Sequence, residues 1–180
     1  KLPDEIRSEL TNKFGLSSYD ASVISEEKEI ADYFFIAAEG RDGKLVSNWI
    51  TSELFGALNK KGLSLSESPI SPKQIGSLVD LIINDTISGR IAKDVFSEMF
   101  KTGKDAIHIV EEKGLKQTSN LDEINNIIQK VLITNKDKVI EYNSGKQKLF
   151  GFFIGQVMKL TGGKANPKIV NELLQEQLKK

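Results

Sequence analysis

Residues 146–161 read KQKLFGFFIGQVMKLT and carry the clearest structural signal in the chain. At 100° per residue, the large apolar side chains of this stretch fall on one broad side of an α-helix: Leu149, Phe150, Phe152, Phe153, Ile154, Val157, Met158 and Leu160. A helix this apolar is typical of the centre of a domain. The stretch therefore predicts the central helix of a C-terminal helical domain.

Helix start and stop signals recur along the chain. Ser71-Pro72-Lys73-Gln74 combines an N-cap, a proline at the first helical position and a capping-box glutamine. Ser17, Asn120 and Asn166 stand at similar starts, and glycines mark the stops at Gly15, Gly40, Gly62, Gly103, Gly114 and Gly162-Gly163. No strand pattern persists, so the sequence predicts an all-α protein. The expected helices lie near 4–13, 17–24, 26–39, 44–61, 72–84, 88–101, 104–113, 121–134, 137–143, 146–161 and 167–179.

Composition excludes several classes of chemistry. The chain has 180 residues, 39% of them hydrophobic and 28% charged, which suits one large or two small globular domains. The absence of cysteine excludes disulfides, thiolate metal sites and cysteine nucleophiles, and His108 is the one histidine. No stretch reaches the roughly 18 to 20 apolar residues of a membrane helix, and no signal peptide opens the sequence. We expect no membrane partner.

Charge is distributed unevenly along the chain. Residues 1–114 carry 14 Lys and Arg against 19 Asp and Glu, whereas residues 115–180 carry 11 against 6. The net charge thus changes from −5 to +5 at the polar stretch Gly114–Asn120, which is the predicted domain boundary. A basic second half favours a polyanionic partner, with unspecific surface composition as the alternative.

Lysines on the predicted helix 146–161 are the best candidates for a binding site. Lys148 and Lys159 are eleven residues apart, so they share the face opposite the phenylalanines. Lys164 and Lys168 follow shortly after, and Lys146 precedes Lys148. We interpret these five lysines as nucleic-acid-binding candidates, although a solvated lysine face is a common surface feature.

Signatures of enzymatic chemistry are missing. The sequence contains no Walker A loop, dinucleotide fingerprint, nucleophile elbow or His-Glu-x-x-His motif. Thr161-Gly162-Gly163-Lys164 superficially resembles a phosphate loop, but it follows a predicted helix and so predicts a helix end with a turn. We therefore expect no catalytic site, metal site or bound cofactor in this chain.

Ordered motifs run along most of the chain. They are Val46 with Asn48-Trp49, Ser68-Pro69-Ile70-Ser71-Pro72, Asp85-Thr86-Ile87-Ser88-Gly89 with Ala92-Lys93, Gly155-Gln156-Val157-Met158-Lys159, Gly163-Lys164-Ala165-Asn166-Pro167 and Val170-Asn171-Glu172-Leu173-Leu174. Together they resemble the GatB/YqeY domain family over essentially residues 31–180. Leu2-Pro3, Phe14-Gly15-Leu16-Ser17 and Tyr19-Asp20-Ala21 resemble the connector that follows the catalytic cradle in the GatB branch.

The resemblance implies a domain organisation and a parent activity. It implies connector helices over 1–30, a helical domain over 31–114 and a small YqeY-like tail domain of three to four helices over 115–180. The parent would be a cytoplasmic, bacterial or organellar, glutamine-hydrolysing ligase that amidates Glu-tRNA(Gln) or Asp-tRNA(Asn). Its ATP and Mg²⁺ would bind in the cradle, and its partners would be tRNA and amidotransferase subunits A and C.

Two other functions remain open at this point. A standalone YqeY-like protein would share the fold, and the connector at residues 1–30 argues against it. A protein–protein adaptor would dock partners through the first half and use its lysines only for solubility. Salt-dependent tRNA binding separates that adaptor from an RNA-binding module.

Overall fold

The computed structural model describes residues 2–179 and confirms the predicted all-α class. Within that range the backbone forms helices, turns and one isolated parallel bridge between Thr118 and Ala165. The first helices are α1 (Pro3–Phe14), α2 (Ser18–Ile24), α3 (Lys28–Ala37), α4 (Gly43–Asn48), α5 (Phe55–Lys61) and α6 (Pro72–Ile83). The remaining helices are α7 (Gly89–Thr102), α8 (Ala106–Glu112), α9 (Leu121–Thr134), α10 (Lys136–Asn143), α11 (Leu149–Leu160) and α12 (Pro167–Leu178).

The predicted caps begin the helices as expected. The Ser71 hydroxyl accepts a hydrogen bond from the Gln74 N–H at 3.2 Å, and the Gln74 side chain accepts one from the Ser71 N–H at 2.9 Å. Asn120 and Asn166 likewise accept backbone N–H groups of the turns that follow them. Every glycine predicted as a stop has a positive φ. Because these signals act within four residues, the sequence was sufficient to place most helix ends.

The expected helix at 44–61 contains a π-helical segment that the sequence pattern does not predict. Trp49–Leu54 connects α4 to α5, and the Phe55 N–H bonds to the Ile50 carbonyl, five residues back. In a regular α-helix Trp49 and Leu54 would point about 140° apart. The π-helical hydrogen bonding turns both side chains toward the core, where each is buried.

Two further local differences concern turns. Leu65–Glu67 forms a 3₁₀ turn inside the segment expected to be a loop, and Ser64 and Glu67 cap it reciprocally. The helix expected from residue 146 begins instead at Leu149, because Gly145 has a φ of 114° and the chain turns there. The Lys146 N–H bonds back to the Glu141 carbonyl, so Lys146 closes the end of α10.

The chain divides into two compact units. The first comprises residues 1–84 and 92–113, and the second comprises residues 85–91 and 114–180. Asp85–Ile91 thus clusters with the C-terminal residues despite its position in the sequence. The predicted domain ranges 1–30, 31–114 and 115–180 stay a prediction about independently folding parts.

The core of the first unit forms where α3 and α4 pack against α6, and α6 packs against α8. Its largest fully buried side chains include Leu10, Phe34, Ile50, Leu78 and Met99. Phe34 also contacts Phe14 edge-on, with ring centroids 5.2 Å apart. These contacts hold the 43–61 helix in place, and that helix forms one wall of a groove in the same unit.

The second unit is built around α9, α11 and α12, which pack against one another. Its buried core consists of Ile124, Ile128, Val131, Phe153, Val157, Ala165, Val170, Leu174 and Leu178. The helix predicted to be central, α11, does supply the buried Phe153 and Val157. Leu160 was expected on the core side, and this was wrong: it is 59% exposed, since it lies at the end of α11 beyond the packed turns.

Candidate nucleic-acid interface

Lys148 and Lys159 lie at the two ends of α11. Lys148 is the N-cap, with helical φ and ψ of −61° and −22°, and Lys159 belongs to the last turn. Both side chains are exposed, whereas Phe153 and Val157 on the opposite side are fully buried. The helical register therefore presents both ammonium groups on one outer face, as the spacing predicted.

Two glycines occupy the outer face between these lysines. Gly151 and Gly155 are exposed, and a Cβ built on either would meet no atom within 4 Å apart from immediate neighbours and the backbone of its own helix. Neither glycine therefore serves close packing inside the molecule. Each costs the helix roughly 1 kcal/mol relative to alanine. The result is an outer face with bare backbone at its centre and a positive charge at each end.

A two-glycine turn follows α11. Gly162 and Gly163 have φ values of 61° and 78°, which residues with a side chain rarely adopt. The Gly163 N–H bonds to the Met158 carbonyl at 2.8 Å and closes the helix. The Thr118 N–H then bonds to the Lys164 carbonyl at 2.6 Å, so the backbone after the turn is fixed within the second unit.

The other three predicted lysines lie on separate segments. Lys164 is half-buried in the turn after α11, and Lys168 is exposed in the first turn of α12. Lys146 lies in the turn before α11, where its ammonium pairs with the Glu141 carboxylate at 2.7 Å. Because its charge is compensated there, Lys146 is a weaker candidate than Lys148 or Lys159.

Two cationic residues near this surface were missed in the sequence. The Lys138 ammonium lies over the Phe152 ring, 4.9 Å from its centroid, and so adds a positive charge on the flank of α11. Arg90 approaches the two-glycine turn, since its Nη1 atom lies 3.5 Å from the position of a Cβ on Gly163. No local pattern signals either contact, because Lys138 lies on α10 and Arg90 at the start of α7.

Ser88 ties the start of α7 to the same turn. Its hydroxyl is 3.3 Å from the Gly163 carbonyl oxygen, to which it donates, and it accepts from the Ile91 N–H at 3.2 Å. The Gln117 N–H bonds to the Thr86 carbonyl at 2.6 Å. The Asp85–Ile91 segment therefore supports the turn that carries Lys164.

Potential metal ligands do not cluster in the part of the chain that the structure describes. Within residues 2–179 no group of three or more His, Asp or Glu side chains is arranged to hold a metal ion. His108 is exposed beside Glu111 and Glu112 on α8. No helix in the same range is long and apolar enough to cross a bilayer.

A family model described as the GatB domain matches residues 32–178 of the chain. The chain belongs to the GatB/YqeY family. This finding confirms the family predicted from the ordered motifs, over nearly the same residues. The matched region includes all four helices of the second unit and most of the first.

Curated relatives of this GatB/YqeY chain are long proteins of one name, the GatB subunit of the aspartyl/glutamyl-tRNA(Asn/Gln) amidotransferase. Over 178 residues the chain is 51% identical to this subunit from Ehrlichia chaffeensis and 53% identical to that of Rickettsia africae. It is 48% identical to that of Wolbachia pipientis wMel. Each alignment covers 99% of this chain but only 37% or 38% of the relative. The chain thus spans little more than a third of the length of these relatives.

Proposed function

We propose that this chain is the C-terminal portion of the GatB subunit of an aspartyl/glutamyl-tRNA amidotransferase and that its second unit binds tRNA through the outer face of α11. The names of its relatives support the parent activity. The observation that carries the RNA-binding role is the face itself, where Gly151 and Gly155 leave backbone exposed between Lys148 and Lys159.

The chemistry of this face suits phosphates better than base edges. Lysine is a compact charge without the planar fork that arginine uses to bind guanine. Bare helix backbone lets a sugar–phosphate strand approach α11 closely, so that both ammonium groups reach neighbouring phosphates. Recognition would then depend on the shape and backbone of the RNA, with little dependence on sequence.

The catalytic steps of the parent reaction would take place outside this chain. The parent amidates Glu-tRNA(Gln) or Asp-tRNA(Asn) with glutamine-derived ammonia, and ATP and Mg²⁺ activate the carboxylate in its cradle. This chain contributes by holding the tRNA. Its partners within the parent complex would be amidotransferase subunits A and C.

A salt titration of tRNA binding tests the role of the face. Each neutralised phosphate releases counterions, so the slope of log affinity against log salt becomes shallower by roughly 0.7 to 0.9 for every lysine–phosphate pair that is removed. We expect the double variant Lys148→Glu/Lys159→Glu to bind tRNA more weakly and to reduce the slope by about 1.4 to 1.8. Helicity should be unchanged, because both side chains are exposed.

The matched control reverses two other lysines of the second unit. Lys130 and Lys136 are exposed on α9 and α10, and Lys130→Glu/Lys136→Glu changes the net charge by the same amount. This control should retain most of the affinity and the slope. Equal effects of the two double variants would show that only net charge matters. An unchanged affinity and slope for Lys148→Glu/Lys159→Glu would favour the adaptor function.

A further inference from the structure

A groove in the first unit lies between the 43–61 helix and α7. Its volume is about 340 Å³, and its lining belongs entirely to these two helices. One wall rises from the π-helical segment and α5, and the other from α7. The lining residues are Ser52, Glu53, Gly56, Ala57, Lys60, Lys61, Lys93, Phe96, Ser97, Phe100 and Lys101.

Four lysines surround this groove. The Lys93 ammonium pairs with Glu53 at 3.3 Å, and Lys101 pairs with Glu98 at 3.4 Å. Within residues 2–179, Lys60 and Lys61 have no ion-pair partner, so one end of the groove keeps two uncompensated positive charges. This concentration is unusual for its surroundings, because residues 1–84 and 92–113 together carry 13 Lys and Arg against 18 Asp and Glu.

The floor of the groove is apolar and its walls are small. The Phe96 and Phe100 rings contact each other with centroids 6.1 Å apart, and Phe96 also contacts Trp49. Gly56 is half-buried on one wall, and a Cβ built there would meet no atom within 4 Å apart from immediate neighbours and its own helix backbone. Small walls over an aromatic floor leave room for the side chains of a docked helix.

We propose that this groove binds an acidic amphipathic helix of a partner protein. Apolar side chains of that helix pack on Phe96 and Phe100, and its carboxylates pair with Lys60 and Lys61. RNA fits the groove less well, for two reasons. The unit around it has a net charge of −5, which repels a long polyanion. Phe96 is also only 5% exposed, so its ring face is not available for base stacking.

Peptide binding to the whole chain tests this proposal independently of tRNA binding. The probe is a fluorescein-labelled peptide of about 16 residues, long enough to form a helix, with leucine at every third or fourth position and glutamate between. Fluorescence anisotropy should show saturable binding to the wild-type chain. The same peptide with lysine in place of glutamate should bind at least about tenfold more weakly, a difference near 1.4 kcal/mol.

Two groove variants test the place of binding. Lys60→Glu/Lys61→Glu removes the charge complementarity, and Gly56→Leu fills the groove without changing charge or breaking the helix. Each should weaken peptide binding about tenfold, the factor that corresponds to 1.4 kcal/mol. The control Lys28→Glu/Lys73→Glu reverses two exposed lysines that do not line the groove, and it should bind like the wild type.

Several outcomes would overturn the proposal. These are no saturable binding of the glutamate peptide, equal binding of the glutamate and lysine peptides, and unchanged binding to Gly56→Leu. Weakened tRNA binding by Gly56→Leu together with unchanged peptide binding would assign the groove to RNA instead. Thermal unfolding of every variant separates loss of binding from loss of fold.

Discussion

Asn166 stabilises the start of α12 by capping its first turn. Its side-chain oxygen accepts a hydrogen bond from the Lys168 N–H at 3.0 Å, with Pro167 at the first helical position. We expect Asn166→Ala to lower the free energy of unfolding by about 1 kcal/mol, because that N–H loses its partner. Chemical denaturation measures the change. Asn171→Ala, in the exposed middle of the same helix, is the control and should leave stability unchanged or slightly raised.

Tyr33 makes the stability of the first unit depend on alkaline pH. Its ring is 8% exposed and its hydroxyl donates to the Ile70 carbonyl at 2.8 Å. Burial raises the pKa of this hydroxyl well above its usual range, since a phenolate would lose hydration. The folded pKa exceeds the unfolded value near 10, so this contribution is complete below about pH 10 and declines as the pH rises further.

The variant Tyr33→Phe separates the hydrogen bond from the titration. At neutral pH it should cost about 1 kcal/mol or less, because the Ile70 carbonyl still accepts from the Ser68 hydroxyl at 2.8 Å. Above pH 10 its stability should fall less steeply than that of the wild type. Urea denaturation at several pH values measures both effects. Tyr19→Phe, at a 75% exposed position, should change neither, and an identical alkaline decline in Tyr33→Phe would contradict the assignment.

At the scale of helices, glycine-to-alanine substitutions should have opposite effects at two positions. Gly76 lies inside α6, where a Cβ would come within 2.7 Å of the Arg41 Nη1 atom and 3.0 Å of the Ala37 carbonyl oxygen. Arg41 is held there by two 2.8 Å hydrogen bonds to Asp80. We expect Gly76→Ala to destabilise the protein by about 1 to 3 kcal/mol, despite the higher helix propensity of alanine.

Gly155→Ala is the counterpart on α11. Its Cβ would enter open space, so helix propensity alone decides and the protein should become more stable by up to about 1 kcal/mol. If a phosphate backbone approaches this face, the same substitution should weaken tRNA binding. Thermal unfolding and tRNA titration of the two variants measure these signs. A Gly155→Ala protein that is more stable and binds tRNA as tightly as the wild type would argue against close backbone contact.

Helix boundaries followed from sequence because caps act locally. The hydrogen bonds that start α6, α9 and α12 join residues two or three positions apart, so the pattern alone located them. The π-helical segment could not be predicted in this way. It depends on both Trp49 and Leu54 reaching the core, and that requirement comes from what packs against the helix.

On the scale of the whole molecule, the stretch between the two units should be the first site of proteolysis. Gly114 and Lys116 are exposed, whereas the N–H groups of Gln117 and Thr118 are hydrogen-bonded within the second unit. We expect trypsin to cut first after Lys113 or Lys116, as timed digestion with mass spectrometry would show. Lys113→Gln/Lys116→Gln should slow that cut. A first cut after Lys148 would mean that the second unit opens before this stretch does.

The sequence by itself determined the all-α class, the helix ends, the family and the shared face of Lys148 and Lys159. These follow from hydrogen bonds, helical register and motif order, each of which is local in the chain. Only the tertiary structure decided that Asp85–Ile91 belongs with the C-terminal residues, that Lys138 covers Phe152, and that four lysines surround one groove. Such features join residues far apart in sequence, and their positions depend on how the helices pack, which no local pattern encodes.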